Sequence, residues 1–509
     1  MHMKTRKLFN LLLIVLISLA LFGCADTNAK GFTSIEELKD KRIGIKQGTV
    51  YDGLTKKTFP DAEYYYFATA SDLASALKGN KIDAFAIDDT ILSEIIKENP
   101  EIGRLDEHIA SFECAFVFNK NDHGAELAEK MNVMLKELKD SGELDKLYEK
   151  WLNYDSDTEM FDISSLKGGN GNITLASQTG CPPFAILLNG KIAGYEVELV
   201  ALFCEKYGYT LEVDEMYFDG LLSAVQSGKA DIAVGGIGRT EERARSVIFS
   251  DIDAIVYGDV GVLKKGSSSS QSFIDDISTS FKRTFIDEDR WKMFFKGIFA
   301  TMAITILSIV LGTLLGFVIY TNTRNNTGIV LKIVKFSIWL IQGMPVVVLL
   351  MVLYYIVFGK VSIDSFWVSI LGFTLTFACS VYNMLAGAVS TIDPGQKQAA
   401  FTLGYSDKMT FYKILLPQAI SYIMPSYKLE IVSLIKATAV VGYIAVQDLT
   451  KIGDLIRSRT YEAFFPLIVV TVLYFILAAI LNAFVKKIDI RIDPRKRAPE
   501  RILKGVKIK

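Results

Sequence analysis

At 509 residues, half of them hydrophobic, the chain is long for one ordinary domain and apolar for a wholly soluble protein. A formal net charge of −1 leaves no basic footprint for nucleic acid. Its three histidines, His2, His108 and His123, are scattered, which argues against a histidine-based metal or triad site. No G-x-x-x-x-G-K-[ST] stretch offers a phosphate loop for ATP.

The first element is a leader. Lys4, Arg6 and Lys7 precede an apolar run from Leu8 to Phe22, the pattern of a secretory signal over residues 1–24. Residues 31–153 alternate strands such as "RIGIKQ" and "IDAFAI" with amphipathic helices. One runs from Ala125, with Leu127, Met131, Met134 and Leu138 three or four residues apart. It leads into "SGELDKLYEKWLN", Ser141 to Asn153, which reads as the end of a domain, and a linker with a Gly-rich close follows over 154–171. A second strand and helix series fills 172–265, with "ITLAS", "GYEVELVALFCEKYG" and "DIAVGG". Strands separated by amphipathic helices predict an α/β fold. The Gly/Ser run "KKGSSSSQS" then opens a flexible tether over 266–290. Cys114, Cys181 and Cys204 form an odd exported set without regular spacing, not a disulfide framework.

The rest predicts an all-α membrane domain over 291–490. Five apolar runs approach the length of a bilayer crossing, at about 295–320, 337–358, 365–390, 421–446 and 462–485. Cys379 falls in the third. The tail at 491–509, with Arg491, Arg495, Lys496 and Arg497, is expected to be cytoplasmic. The loops holding Arg324, Lys332 and Lys335, and Lys397, Lys408 and Lys413, fall on the same side. That puts the α/β part outside, as the leader requires.

Three resemblances extend this reading. The leader ends in Leu21-Phe22-Gly23-Cys24, which is similar to a bacterial lipoprotein box and implies lipidation at Cys24, although Phe22 is larger than usual there. Between the third and fourth runs, Gln398-Ala399-Ala400, Gly404, Ile414 and Leu416-Pro417 keep the spacing of the E-A-A loop of ABC importer permeases, with Gln398 in place of Glu. In that family the loop docks into a separate ATPase subunit. "QGMP", Gln342 to Pro345, and "LEIVSLIKAT", Leu429 to Thr438, resemble segments of the polar-amino-acid permeases. Gln342, Leu429, Ala437, Asn383 and Ala386 replace charged or polar family residues, while Glu430 and Lys436 remain ionisable.

The α/β part resembles a type II solute-binding domain in rearranged order. "NITLASQTGCPPFAI" resembles its opening. "FDGLLSAVQSGKADIAVGGIGRTEERARS" resembles the segment that ends lobe one, with Gly236, Gly238 and Arg243 at the substrate-carboxylate positions. "TSIEELKDKRIGIKQGTVYDGL" and "GNKIDAFAIDDTIL" resemble lobe two, with Thr49 as a second hydroxyl ligand and Asp88 as partner of the substrate ammonium. Gln178, Cys181, Phe184 and Phe218 are further candidates to line the cleft. The resemblance implies lobe two and its closing helices at 31–153, then lobe one at 172–265: either one circularly permuted domain, the favoured reading, or two half-domains. The implied protein is a substrate-binding and pore-forming subunit of an ATP-driven amino-acid importer in a bacterial plasma membrane. It would not itself be an enzyme. Its expected partners are an amino acid, an ATPase chain and a second copy of itself, with no cofactor or metal. A ligand-gated channel or a nutrient sensor built on the same binding domain is the alternative.

Overall fold

The computed structural model describes residues 31–265, 278, 280–359, 361, 363–460 and 464–492. The leader with Cys24, the start of the tether and most of the basic tail lie outside the described residues.

The strands are β1 (Arg42–Lys46), β2 (Glu63–Phe67), β3 (Ala84–Asp88), β4 (Ile102–Arg104), β5 (Ala110–Cys114) and β6 (Val117–Asn119), then β7 (Asn172–Ser177), β8 (Ile186–Leu188), β9 (Lys191–Ala193), β10 (Thr210–Glu215), β11 (Ile232–Val234), β12 (Val247–Phe249) and β13 (Ala254–Leu263). They form two main sheets, one per lobe. Lobe two has the order β2-β1-β3-β13-β4, with β5 also paired to β13, and lobe one has the order β10-β7-β11-β6-β12. In each sheet the first three strands are parallel, and the fourth runs antiparallel to the third.

That fourth strand is borrowed. β13 comes from the end of the α/β region to complete the sheet built by residues 42–104, and β6 crosses from the beginning to complete the other. Each sheet therefore needs chain from both sides of the 154–171 linker, so the region is one two-lobed unit rather than two half-domains. The lobes join through two crossings, from β5 to β6 and from β12 to β13. These are laced together by Ser250 N–H to Phe116 O at 3.0 Å and Asp253 N–H to Cys114 O at 3.2 Å.

The helices Asp122–Ser141 and Glu143–Leu152 pack on lobe one. Leu127, Met131, Met134, Leu144 and Trp151 share a core with Ile173, Leu199 and Phe203. Trp151 is buried, and its indole N–H donates to Glu198 Oε2 at 2.6 Å. The unit begins and ends at one place, since a Cβ on Gly31 would lie 2.7 Å from Lys265 Cα. The described cysteines, Cys114, Cys181, Cys204 and Cys379, are free and buried.

The membrane half departs from five straight spans. Three helices are long and apolar enough to cross a membrane: Trp291–Thr323, Ser365–Ser390 and Phe465–Arg491. The second run is a bent pair, Ile329–Gly343 with Val346–Val357, turning by 110°, and the helix that holds the fourth, Asp407–Ile444, is followed after a turn of 54° by Leu449–Thr460. The first break falls at Pro345, which has no N–H to continue a helix. At the second, Ala445 adopts a left-handed φ of 64°. Part of the expected tether is also ordered, with helical turns over Lys282–Asp289 and an Arg283–Glu98 ion pair at 3.1 Å.

Candidate functional site

Each lobe sends the loops at its strand ends into one cleft, enclosing about 370 Å³ with its open mouth included. Lobe two lines it with Lys46, Thr49, Tyr51 and Asp88, and lobe one with Cys181, Phe218, Gly236, Gly238 and Arg243. The structure thus brings together seven residues singled out from sequence: Arg243, Asp88, Thr49, Gly236, Gly238, Phe218 and Cys181.

On lobe one, Thr240 caps the short helix Glu241–Ala244, its hydroxyl accepting from the Arg243 N–H at 3.2 Å. This turn aims the Arg243 guanidinium across the cleft. Nη1 donates to Gly238 O and Nη2 to Gly48 O of lobe two, each at 2.6 Å. Arg243 therefore spans the two lobes in this closed arrangement, and burial lowers its pKa. Gly236 has a φ of 66°, and a Cβ there would lie 2.9 Å from the Phe184 ring, so only glycine fits the turn without strain. A Cβ on Gly238 would approach Phe112 and Val50 equally closely.

On lobe two, Asp88 ends β3 and precedes the helix Asp89–Glu98, yet its side chain makes no capping bond there. It accepts instead from Tyr51 OH at 2.7 Å. Burial pushes the Asp88 carboxyl up to about 6, with the Tyr51 hydrogen bond and the nearby Lys46 charge opposing. Thr49 Oγ1 donates to Lys46 O at 2.7 Å.

Two candidates lie elsewhere. Phe184 does not line the cleft: it is fully buried beneath Gly236, against Tyr148 and Tyr195. An apolar ring next to a tight turn reads alike above or below the cleft floor. Gln178 is also buried behind the lining, and its Oε1 accepts from Lys46 Nζ at 2.9 Å.

Sequence reasoning missed Lys46, because a lysine at a strand end reads as solvated. It also missed Glu196. This buried carboxylate accepts from the Gly235 and Gly236 N–H groups at 2.6 and 3.1 Å and so holds the glycine turn. Burial raises Glu196 to about 7, and burial together with Glu196 raises the neighbouring Asp253 well above its usual range.

The third omission is a docking surface. Helix Leu449–Thr460 lies against both lobes. Lys451 pairs with Glu215 at 3.1 Å, both almost fully buried, and Tyr217 OH donates to Asp454 at 2.5 Å. Arg457 pairs with Asp72 of lobe two and with Asp454, while Arg459 donates to Tyr154 OH at 2.7 Å. A charged segment between apolar runs was the available signal.

In the loop between the third and fourth runs, Asp393 caps helix Pro394–Thr402, and Gly404 turns the chain with a φ of 81°. Gln398 and Ala399 are exposed while Ala400 packs inward, and Phe401 and Leu403 present exposed apolar side chains. Ile414 lies in the turn before the long helix, which opens at Leu416-Pro417. Within the membrane half, Asn383 Nδ2 donates to Gln342 Oε1 at 2.9 Å and Ser380 donates to Glu430 at 2.6 Å. The amides that replace two charged family positions thus satisfy each other.

Residues 308–494 match the family described as "Binding-protein-dependent transport system inner membrane component". The arginine transport system permease protein ArtQ of Bacillus subtilis is 29% identical over 199 residues, spanning 38% of this chain and 90% of that protein. A crystal structure of an amino acid ABC transporter with histidines is similar at 24% identity and a TM-score of 0.38, covering 44% of this chain and 99% of the other. A periplasmic substrate-binding protein from Coxiella burnetii is similar at 12% identity and a TM-score of 0.26, covering 45% and 87%.

Proposed function

From the premise that residues 308–494 form an amino-acid ABC permease domain of the binding-protein-dependent family, we propose that the α/β unit captures an amino acid and delivers it to the pore of its own chain. Arg243 receives the α-carboxylate, its planar fork being suited to an anion, on a floor shaped by the Gly236 turn that Glu196 props from behind. Asp88 receives the ammonium from the other lobe. Closure by the two hinge crossings then seats the loaded unit on the permease. Fusion makes delivery intramolecular, with an effective concentration on the order of millimolar for a short flexible tether.

ATP is hydrolysed by a separate chain docked on the loop Gln398 to Pro417, whose exposed Phe401 and Leu403 suit an apolar cleft. The permease works as a pair with a second copy. The α/β unit lies outside the cell with Cys24 lipidated, and the tail lies inside. The unit is a circularly permuted solute-binding domain: the helix Glu143–Leu152, an ending in the family's order, packs on the lobe it precedes here.

The observation that carries this reading is the opposed pair Arg243 and Asp88 in a cleft whose two lobes both touch helix Leu449–Thr460. The test is uptake of labelled amino acids into proteoliposomes holding the chain and its ATPase. Uptake should require ATP inside. Uptake without ATP would favour the channel, and tight binding without any uptake would favour the sensor.

A further inference from the structure

Lys46 is the one described cation in the cleft lining other than Arg243. It is 4% exposed. Its Nζ lies 2.9 Å from Gln178 Oε1, 3.6 Å from Cys181 Sγ and 5.0 Å from the centre of the Phe218 ring. These partners are neutral. Among the described residues no carboxylate lies within ion-pair distance of it. The Asp88 charge reaches it only from beyond ion-pair distance, and an ammonium so withdrawn from water is costly, so a charge brought by the ligand against it would relieve that cost.

The charged lining makes the same point. Arg243 and Lys46 contribute two positive charges and Asp88 one negative, a net of +1. An amino-acid zwitterion pairs its carboxylate with Arg243 and its ammonium with Asp88, which leaves Lys46 unanswered. A ligand of charge −1 answers all three.

We infer that the substrate is an α-amino acid with a side-chain carboxylate, and that Lys46 is the specificity-determining residue that binds it. This rests on the reading of the cleft as an amino-acid site. The Phe218 ring holds the ammonium in place from one side, and Gln178 orients it from the other. A cationic side chain would face Lys46 directly and is rejected by like charge. An aliphatic one would bury the ammonium with only its neutral partners, Gln178 and Phe218.

The test is calorimetry on the full chain in nanodiscs, with L-glutamate, L-glutamine, L-leucine and L-arginine as titrants. L-Glutamate should bind tightest, with L-leucine and L-arginine weaker by on the order of a hundredfold, the scale of a buried charge-assisted contact. Lys46→Met should lower glutamate affinity and erase its advantage over glutamine, while Lys46→Arg restores part of it. Glutamine binding tighter than glutamate would overturn the carboxylate assignment. Leucine or arginine binding as tightly as glutamate would overturn the inference while leaving the amino-acid site intact. An intact chain binding none of the four would overturn the site reading itself. The wild-type panel decides these cases even if a variant fails to fold.

Discussion

Lobe one and lobe two share one strand order, three parallel strands followed by a borrowed antiparallel one, yet they meet the cleft with different chemistry. Lobe one supplies Arg243 and a glycine turn propped by Glu196. Lobe two supplies Asp88, held by Tyr51, and Lys46. Their docking differs too: lobe one meets helix Leu449–Thr460 through the buried Lys451–Glu215 pair and Tyr217, lobe two through Asp72 and Arg457. The shared scaffold determines only where loops converge. The residues on those loops decide charge and partner.

The largest effect should come from the lobe-one side of this contrast. Arg243→Ala is expected to weaken amino-acid binding by at least about a hundredfold, because it leaves a buried anion unpaired. Unchanged affinity by calorimetry would remove lobe one from the carboxylate role.

On lobe two, Asp88→Asn should weaken binding by about tenfold to a hundredfold. The wild-type carboxyl, raised to about 6, is ionised above that pH and protonated below it. Affinity for an ammonium ligand should therefore hold near pH 7.5 and decline by up to about tenfold per unit below pH 6. Asp88→Asn should flatten this profile, and a variant that kept the wild-type slope would exclude Asp88 as its origin.

Docking offers a milder test. Lys451→Met should leave amino-acid affinity within about twofold while lowering ATP-driven uptake by about tenfold, the scale of a lost buried pair at an interface. Equal losses in both would show that the helix shapes the cleft rather than receiving the lobes.

The smallest effect concerns stability. A carboxyl raised in the folded state favours the fold while protonated, so that stability is lost as pH rises from about 4.5 through about 7. The melting temperature should fall by a few degrees between pH 5 and pH 8. Glu196→Gln, which keeps an acceptor for the glycine turn, should lose part of that dependence, the rest belonging to the raised carboxyls of Asp253 and Asp88. A wild-type melting curve indifferent to pH would assign the proton elsewhere.

Much of the cleft was legible because its residues sit in local motifs. Asp88 follows a strand, Arg243 follows a capped turn, and Gly236 and Gly238 lie in a tight loop, each with a pattern a few residues long. Asp88 stands at the N-cap position of the following helix, yet its carboxyl turns to Tyr51 rather than capping it. Phe184 was misplaced because hydrophobicity reports burial but not which side of a turn is buried. The apolar runs marked the membrane half, but one of them bends at Pro345 and another ends at a turn into a charged helix, breaks that a count of hydrophobic residues cannot see.

By itself the sequence determined the division into an α/β half and an apolar helical half, the tight loops that need glycine, and the alternation that builds each parallel core. These follow from short-range chemistry: side-chain period, turn preference and the length of an apolar run. Only the tertiary structure decided that strands from either side of the linker complete each other's sheets. It also decided that Lys46 meets Gln178, 132 residues away, and that a charged helix near residue 455 receives both lobes. Those outcomes depend on which distant surfaces exclude water together, and no local pattern encodes that.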